Sequence, residues 1–298
     1  MPAAVHVFAE AEPAGRRLAE VLGAACAPIS VHRFPDGESL VRVDDTAATA
    51  LVYRSLDNPN AKLIEVLLAA SALRDRGARK VILVAPYLGY MRQDIAFRPG
   101  EAVSQRVIGR LIAEAFDGVL TVDPHLHRVR TLGEVIPGIP AIAVSAASLL
   151  AEAIDRTHRP LLVGPDNESG QWVGEVARHA GLDFIVGAKL RGGDRDVAVT
   201  FADMAKVAGR QVVLIDDLVS SGHTLIEAVR TLLVAGAGRV DAIAVHNLAS
   251  QEDLAVIRAA GLASLRATDS VAGSTSEICV APLLAEAINQ QGWIRGAA

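Results

Sequence analysis

The sequence predicts an α/β protein made of two similar domains, each with a mainly parallel sheet flanked by helices. Three observations carry this. Short apolar runs of strand character alternate with segments of helical spacing along almost the whole chain, the order of βαβ units. The core is aliphatic: hydrophobic residues make up 51% of the 298 residues and aromatics only 4%, which suits parallel strands buried on both faces. The same element order then starts again near residues 145–160, without a recognisable sequence repeat. The boundaries read are 1–146 and 147–298, with the last helix able to pack back on the first domain.

Taken in order, residues 5–8 read as a first strand and 13–24 as a helix with Leu18, Val21 and Leu22 on one face. Residues 29–31 and 39–43 read as paired strands around the turn His32-Arg33-Phe34-Pro35-Asp36-Gly37-Glu38. Strands at 50–53 and 81–84 are joined by a helix over 60–75, whose expected buried stripe is Ile64, Leu67, Leu68 and Ala72. A helix over 103–115 and strands at 119–122 and 141–144 complete the first half. The second half opens with a helix over 147–156. Strands at 161–163, 184–186, 211–215 and 240–245 then alternate with helices at 169–180, 223–235 and 251–258. Thr268-Asp269-Ser270 reads as a polar turn, 278–280 as a last strand and 282–288 as a closing helix.

Composition excludes several classes. The formal net charge of −5 argues against a general nucleic-acid binder. Cys26 and Cys279 stand at opposite ends with no metal spacing, so a reducing compartment is the default and neither is a good nucleophile. No secretory signal pattern opens the chain, and apolar runs are too short and broken to span a membrane. A cytoplasmic protein is therefore expected.

The richest stretch is Val212-Val213-Leu214-Ile215-Asp216-Asp217-Leu218-Val219-Ser220-Ser221-Gly222-His223-Thr224. A strand, a loop of small hydroxyl residues and a helix start make an anion cradle, because backbone N–H groups and the hydroxyls all donate toward one point. Two aspartates repel a bare phosphate but suit sugar hydroxyls or a metal ion beside it. A phosphorylated sugar fits both halves of the motif. The competing reading is an ordinary strand end with Ser220 capping the helix. Neither a P-loop nor a dinucleotide glycine motif is present.

Other strand ends carry chemistry too. The turn at 32–38 presents Phe34, which can stack on a purine, beside the acceptors Asp36 and Glu38, although such a turn ordinarily just joins a hairpin. The loop Pro86-Tyr87-Leu88-Gly89-Tyr90-Met91-Arg92-Gln93-Asp94 offers the Arg92 fork for phosphate and Gln93 for base edges or phosphate. Asp123-Pro124-His125-Leu126-His127 places carboxylate and imidazole at a strand end, with Arg128 and Arg130 adding positive charge. Asp166 and Ser169 follow another strand and can cap the next helix, while Asp166 can also face a crevice. Lys189-Leu190-Arg191-Gly192-Gly193-Asp194-Arg195 reads either as a basic loop that closes over phosphates or as a plain hairpin turn.

Together these pieces resemble the ribose-phosphate pyrophosphokinase (phosphoribosyl pyrophosphate synthetase) family over nearly the whole chain. The resemblance rests on Phe34-Pro35-Asp36-Gly37-Glu38, Gly89-Tyr90-Met91-Arg92-Gln93-Asp94, Val122-Asp123-Pro124-His125, Gly164-Pro165-Asp166, Ile215-Asp216-Asp217 with Gly222-His223-Thr224, and Val280-Ala281-Pro282-Leu283-Leu284-Ala285-Glu286-Ala287-Ile288. Asn167-Glu168-Ser169-Gly170-Gln171-Trp172 and the basic stretch after Lys189 look nearer its archaeal-like branch. Ser220-Ser221 depart from the common bacterial pattern, an aspartate followed by Thr.

The resemblance implies two phosphoribosyltransferase-type domains and transfer of the β,γ-diphosphoryl group of ATP to the 1-hydroxyl of ribose 5-phosphate, in a homodimer or higher homo-oligomer. It implies an adenine site at Phe34, Asp36 and Glu38, contributed across a dimer interface, and ATP contacts at Arg92, Gln93 and Asp94. His125 and Asp166 would bind Mg²⁺, with His125 also on the nucleotide side. Lys189 and Arg191 would be the catalytic pair. Asp216 and Asp217 would hold ribose hydroxyls, and Ser220, Ser221, Gly222, His223 and Thr224 the 5-phosphate. Diphosphoryl transfer needs alignment and charge stabilisation more than covalent help, which agrees with this residue set. Two alternatives remain: a phosphoribosyltransferase that consumes the diphosphate, and a non-catalytic synthetase-associated regulatory subunit.

Overall fold

The computed structural model describes residues 3–126, 128–191, 197–201 and 203–294, the side chains of 168, 188–191 and 197–200 excepted. Its internal contacts divide the chain into one unit of Met1–Ser145, Ser270–Ala272 and Cys279–Ala298, and another of Ala146–Asp269 and Gly273–Ile278.

Valine-, isoleucine- and leucine-rich runs pack well on a pleated surface, and they supply the strands of both sheets. The first unit runs β1 (Ala3–Phe8), α1 (Glu12–Leu22), β2 (Ala25–Arg33), β3 (Ser39–Val43), β4 (Thr49–Tyr53), α2 (Pro59–Asp75), β5 (Lys80–Val84), α3 (Ser104–Ala115), β6 (Gly118–Val122), α4 (Leu132–Val135) and β7 (Ala141–Val144). The second runs α5 (Ala147–Ala153), β8 (Leu161–Gly164), α6 (Gly170–Ala180), β9 (Phe184–Arg191), β10 (Val197–Phe201), β11 (Gln211–Val219), α7 (His223–Val234), β12 (Arg239–Asn247), α8 (Gln251–Ala259), β13 (Ser264–Thr268) and β14 (Ser276–Ile278). The closing helix α9 (Ala281–Gln290) belongs to the first unit, where it packs on α1 and β6.

Among the described residues each unit has one seven-stranded sheet, ordered β3-β2-β1-β4-β5-β6-β7 in the first and β10-β9-β8-β11-β12-β13-β14 in the second. The order is the same in both. All pairings are parallel except β2 with β3 and β9 with β10, the antiparallel hairpins at one edge of each sheet. The chain reverses its direction of growth beside β1 in the first sheet and beside β8 in the second. Open α/β sheets bind ligands in the crevice at the carboxyl ends of the strands at such a point. No helix among the described residues is long and apolar enough to cross a membrane.

Several expectations need correction. The strand expected to end at 215 continues, and β11 pairs with β12 as far as Val219↔Asn247. The strands at 197–201 and 264–268 were not anticipated: Arg266 interrupts the apolar pattern of the second, and the expected polar turn at 268–270 begins on its last residue. The last strand is Ser276–Ile278 rather than 278–280. Helix α2 buries Leu63, Val66, Ala69, Ala70 and Leu73 together with Glu65, and leaves Ile64 and Leu68 exposed. Apolar residues surround this helix, so its sequence has no single period to name the inner face.

Each unit has its own core. Phe8, Val52, Val66, Leu83, Ile112 and Phe116 pack together in the first, and Leu161, Val163, Leu214, Val229, Leu232 and Ile257 in the second. Strand β1 also buries His6 completely, with neither ring nitrogen hydrogen-bonded among the described residues. Burial lowers the pKa of this imidazole to about 4, only partly offset by the charge of Asp45.

Candidate active site

In the second unit, β8 and β11 lie side by side at the point of reversal, and the carboxylates expected from the sequence stand at their carboxyl ends. Asp166 follows β8. Its Oδ1 accepts from the Ser169 N–H at 3.2 Å, and the Ser169 hydroxyl donates to the Asp166 carbonyl at 2.5 Å. These bonds close the short turn at 167–169, but Ser169, the N-cap residue of α6, makes no side-chain cap hydrogen bond, so the expected cap of that helix is not formed. Asp216 and Asp217 lie within β11, where the Asp217 N–H donates to Asp216 Oδ1 at 3.0 Å. Burial raises the Asp216 carboxyl well above its usual range, and the negative charges of Asp217 and Asp166 push the same way. Asp166 thus shares an electrostatic environment with the aspartate pair.

The loop after β11 leads into α7 without a side-chain cap. Gly222, at φ 75, occupies the N-cap position and no side chain hydrogen-bonds to it, so Ser220 does not play the capping role. A Cβ at this glycine would lie 2.4 Å from Ile257 Cδ1, so α8 presses on the turn and only glycine fits. Ser220 and Thr224 are half-buried, while Ser221 and His223 are exposed. A strand bearing carboxylates, a tight turn and an uncapped helix start are the features that bind a phosphorylated polyol.

Lys189 and Arg191 fall in β9, which pairs antiparallel with β10 in the register Lys189↔Val199 and Arg191↔Val197. The backbone is thus a hairpin strand up to Arg191. The side chains of both residues, and the whole of Gly192-Gly193-Asp194-Arg195, lie outside the described residues.

In the first unit the residues expected on the nucleotide side follow β2, β5 and β6. The β2–β3 turn is closed by the Phe34 N–H donating to the Glu38 carbonyl at 2.8 Å, and the Glu38 N–H donates to Asp36 Oδ1 at 3.1 Å. Phe34 is 40% exposed, with His32 edge-on to its ring at 4.9 Å. A large exposed aromatic beside two exposed carboxylates is a platform for a flat base bearing donors.

The loop after β5 separates its residues into two groups. Arg92 is exposed and makes no hydrogen bond or ion pair among the described residues. Gln93 is used within the loop, donating to the Ile95 carbonyl and to Glu101 at 3.2 Å each. Asp94 is buried and held by Arg128, with Nη1 at 2.8 and 3.1 Å from its two carboxylate oxygens. A carboxylate already holding a guanidinium positions the loop more than it offers a ligand contact. Arg128 also lies over the Phe97 ring at 5.9 Å, so it ties the loop after β5 to the segment after β6. From the sequence, Arg128 registers only as added positive charge.

Asp123, at φ 36, turns the chain after β6 and donates its N–H to the Val144 carbonyl at 2.9 Å. His125 is half-buried two residues on, and His127 lies outside the described residues. Among the described residues no three His, Cys, Asp or Glu side chains form a group able to hold a metal ion by themselves. The charged groups that bear on Asp216 are the carboxylates of Asp217 and Asp166, oxygen donors of the kind a hard cation takes together with phosphate oxygens and water. Both cysteines are unpaired, and burial pushes the Cys26 thiol up, away from nucleophilic reactivity.

A concavity of about 640 Å³ lies at the opposite edge of the second sheet, where Gln211, Arg239 and Ser264 open their strands. None of the expected site residues lines it.

Comparison with known proteins agrees with this layout. Residues 6–115 match the N-terminal domain of ribose phosphate pyrophosphokinase and residues 134–260 the phosphoribosyl transferase domain. The chain is 36% identical over 279 residues to the ribose-phosphate pyrophosphokinase of Methanopyrus kandleri, covering 92% of this chain and 94% of that one. It is 35% identical over 276 residues to the enzyme of that name from Halobacterium salinarum, covering 91% and 95%. The crystal structure of phosphoribosylpyrophosphate synthetase from Mycobacterium smegmatis shares the fold, with a TM-score of 0.81 at 24% identity over 97% of this chain and 98% of that one. Two phosphoribosyltransferase-like α/β units in this order, and identity at this level over nearly the full length of its relatives, establish that the chain belongs to the ribose-phosphate pyrophosphokinase family.

Proposed function

We propose that this protein is a ribose-phosphate diphosphokinase: it transfers the β,γ-diphosphoryl group of ATP to the 1-hydroxyl of ribose 5-phosphate, giving phosphoribosyl pyrophosphate and AMP. The observation that carries the reading is the aspartate pair on β11 leading into an uncapped helix start. Asp216 and Asp217 accept hydrogen bonds from ribose hydroxyls. Ser220, Ser221 and Thr224, with the backbone N–H groups from Gly222 to Thr224, hold the 5-phosphate. Hydroxyl donors also offset the burial and the like charge that raise the Asp216 carboxyl.

On the nucleotide side, Phe34 stacks on adenine while Asp36 and Glu38 accept from its donors. Arg92, unpartnered among the described residues, takes the phosphate chain, and Gln93 lines the same loop. Asp94 keeps that loop in place through Arg128. Lys189 and Arg191 stabilise the charge that gathers on the transferring oxygens. His125 and Asp166 are the residues that would hold Mg²⁺, directly or through water, and the ion would supply neutralisation of phosphate oxygens.

We place the working form as a homodimer or higher oligomer in the cytoplasm, nearer the archaeal-like branch. Support for self-association is an apolar surface on the first unit: Ile64 and Leu68 on α2 are 53% and 40% exposed, and Leu40 on the adjoining edge strand β3 is 47% exposed. The composition of residues 167–172 supports the branch. The test is a product assay with Mg²⁺ present. AMP and phosphoribosyl pyrophosphate are expected from ATP only when ribose 5-phosphate is added. Consumption of phosphoribosyl pyrophosphate with a free base would instead favour a phosphoribosyltransferase, and inactivity in both directions a regulatory subunit.

A further inference from the structure

We propose that Arg54, Glu65 and Ser39 are positioning residues for the nucleotide, acting through the β2–β3 turn that carries Phe34, Asp36 and Glu38. The inference rests on the reading of that turn as the base-binding element. Its physical content is a chain of charged contacts running from the sheet interior to the root of the turn.

Glu65 projects from the inner face of α2 and is fully buried. One of its carboxylate oxygens lies 2.6 Å from Arg54 Nη1. The other accepts from the Ser39 hydroxyl at 2.8 Å and lies 3.4 Å from Arg33 Nη2. Arg33 and Ser39 are cross-strand partners and form the last pair before the turn, so one carboxylate grips both sides of its root. Arg54 is itself fixed. It is 3% exposed, its Nε donates to Glu10 at 2.7 Å, and its guanidinium sits 3.8 Å over the Phe8 ring.

A buried ion pair is a costly way to fill a core, and packed apolar side chains do so at least as well. Burial alone would raise the Glu65 carboxyl. The hydrogen bond from Ser39 and the paired Arg54 guanidinium, with the charge of Arg33, bring it below its usual range, so the group is anionic at neutral pH. A fixed anion under an exposed two-stranded root sets the angle at which the turn leaves the sheet. Phe34 and the two carboxylates then meet a base in one orientation, and the ordering cost is met before binding. The two charged residues stand eleven positions apart in no motif, so no sequence pattern announces them.

The test uses the full-length protein. Ser39→Ala removes the grip on the turn and leaves the Arg54–Glu65 pair intact, so the fold is spared. Glu65→Gln removes the charge, and Ser39→Thr restores the hydroxyl. Leu63→Ala, at another buried position of α2, controls for general loosening. Ser39→Ala is expected to raise KM for ATP about tenfold, as loss of a hydrogen bond to a charged group does, with kcat and KM for ribose 5-phosphate changed less than about twofold. Amide exchange at residues 34–38 should quicken in Ser39→Ala and Glu65→Gln, return to the wild-type rate in Ser39→Thr, and be unmoved by Leu63→Ala. An unchanged KM for ATP in an active enzyme, or kcat and both KM values falling away together, overturns the proposal. Should the wild-type protein turn over no ATP, the proposed activity fails on its own. The exchange measurement then decides the network: faster exchange confined to the turn supports it, and unchanged exchange overturns it.

Discussion

The buried imidazole of His6 makes the first unit acid-sensitive by a calculable amount. In the folded chain its pKa falls from 6.5 to about 4, because burial in the middle of β1 disfavours the imidazolium more than Asp45 favours it. The unfolded chain binds a proton at this site below pH 6.5 while the folded chain stays neutral, so folding stability rises with pH across this window. Stability is fully present above pH 6.5 and is lost as pH falls toward 4. With about 1.4 kcal/mol for each tenfold difference in proton affinity, the loss is about 2 kcal/mol at pH 5 and about 3 kcal/mol at pH 4. His6→Val removes the titrating group and suits a strand between Ala27 and Val52. Trp293 is buried in this unit, and a Trp172→Phe background leaves it as the sole indole reporter. Urea titrations followed through Trp293 at pH 7, 6 and 5 should show the His6 protein losing about 2 kcal/mol more than the His6→Val protein. Equal losses in the two would refute the account of His6 as a buried neutral base.

Three further outcomes follow from the geometry. Gly222→Ala forces a left-handed residue against Ile257 and should destabilise the second unit by about 1–3 kcal/mol while abolishing calorimetric binding of ribose 5-phosphate. Lys189→Ala should lower turnover about a hundredfold with a much smaller change in ribose 5-phosphate affinity; equal losses in both would contradict a role in stabilising transferring charge. Arg128→Ala leaves the Asp94 carboxylate buried without its guanidinium, and thermal melts should show the first unit destabilised by about 2 kcal/mol.

Much of the fold is legible because parallel strands declare themselves as apolar runs. Residues 81–84 and 161–163 are found almost to the residue, as the cores of β5 and β8. One strand that escapes notice, β13, has a broken pattern. In β13 an arginine sits mid-strand and hydrogen-bonds to the Ala153 carbonyl, so a charged residue occupies a ladder position. The inner face of α2 is hidden for the converse reason: Ile64 and Leu68 look like core, Glu65 looks like surface, and the structure reverses them. At the site, residues on contiguous motifs are readable, since a turn or a strand-to-helix loop keeps its chemistry within a few positions. Side chains that act at a distance are not. Arg128 reaches Asp94 from another strand end, and Glu65 reaches Ser39 from a helix, through tertiary contacts that no local spacing encodes.

The shared strand order of the two sheets has a consequence for stoichiometry. The fourth strand of each set carries an apolar run, Ala50-Leu51-Val52-Tyr53 in one and Val212-Val213-Leu214-Ile215 in the other. The residue that follows is Arg54 in the first sheet and Asp216 in the second. The charge after the apolar run is thus positive in one sheet and negative in the other. The cation is neutralised from inside by Glu10 and Glu65, whereas the anion, which accepts from the Asp217 N–H, is crowded by like charges. On the proposed function one strand end is filled by its own architecture and the other receives the sugar, so titration calorimetry should count one ribose 5-phosphate per chain rather than two.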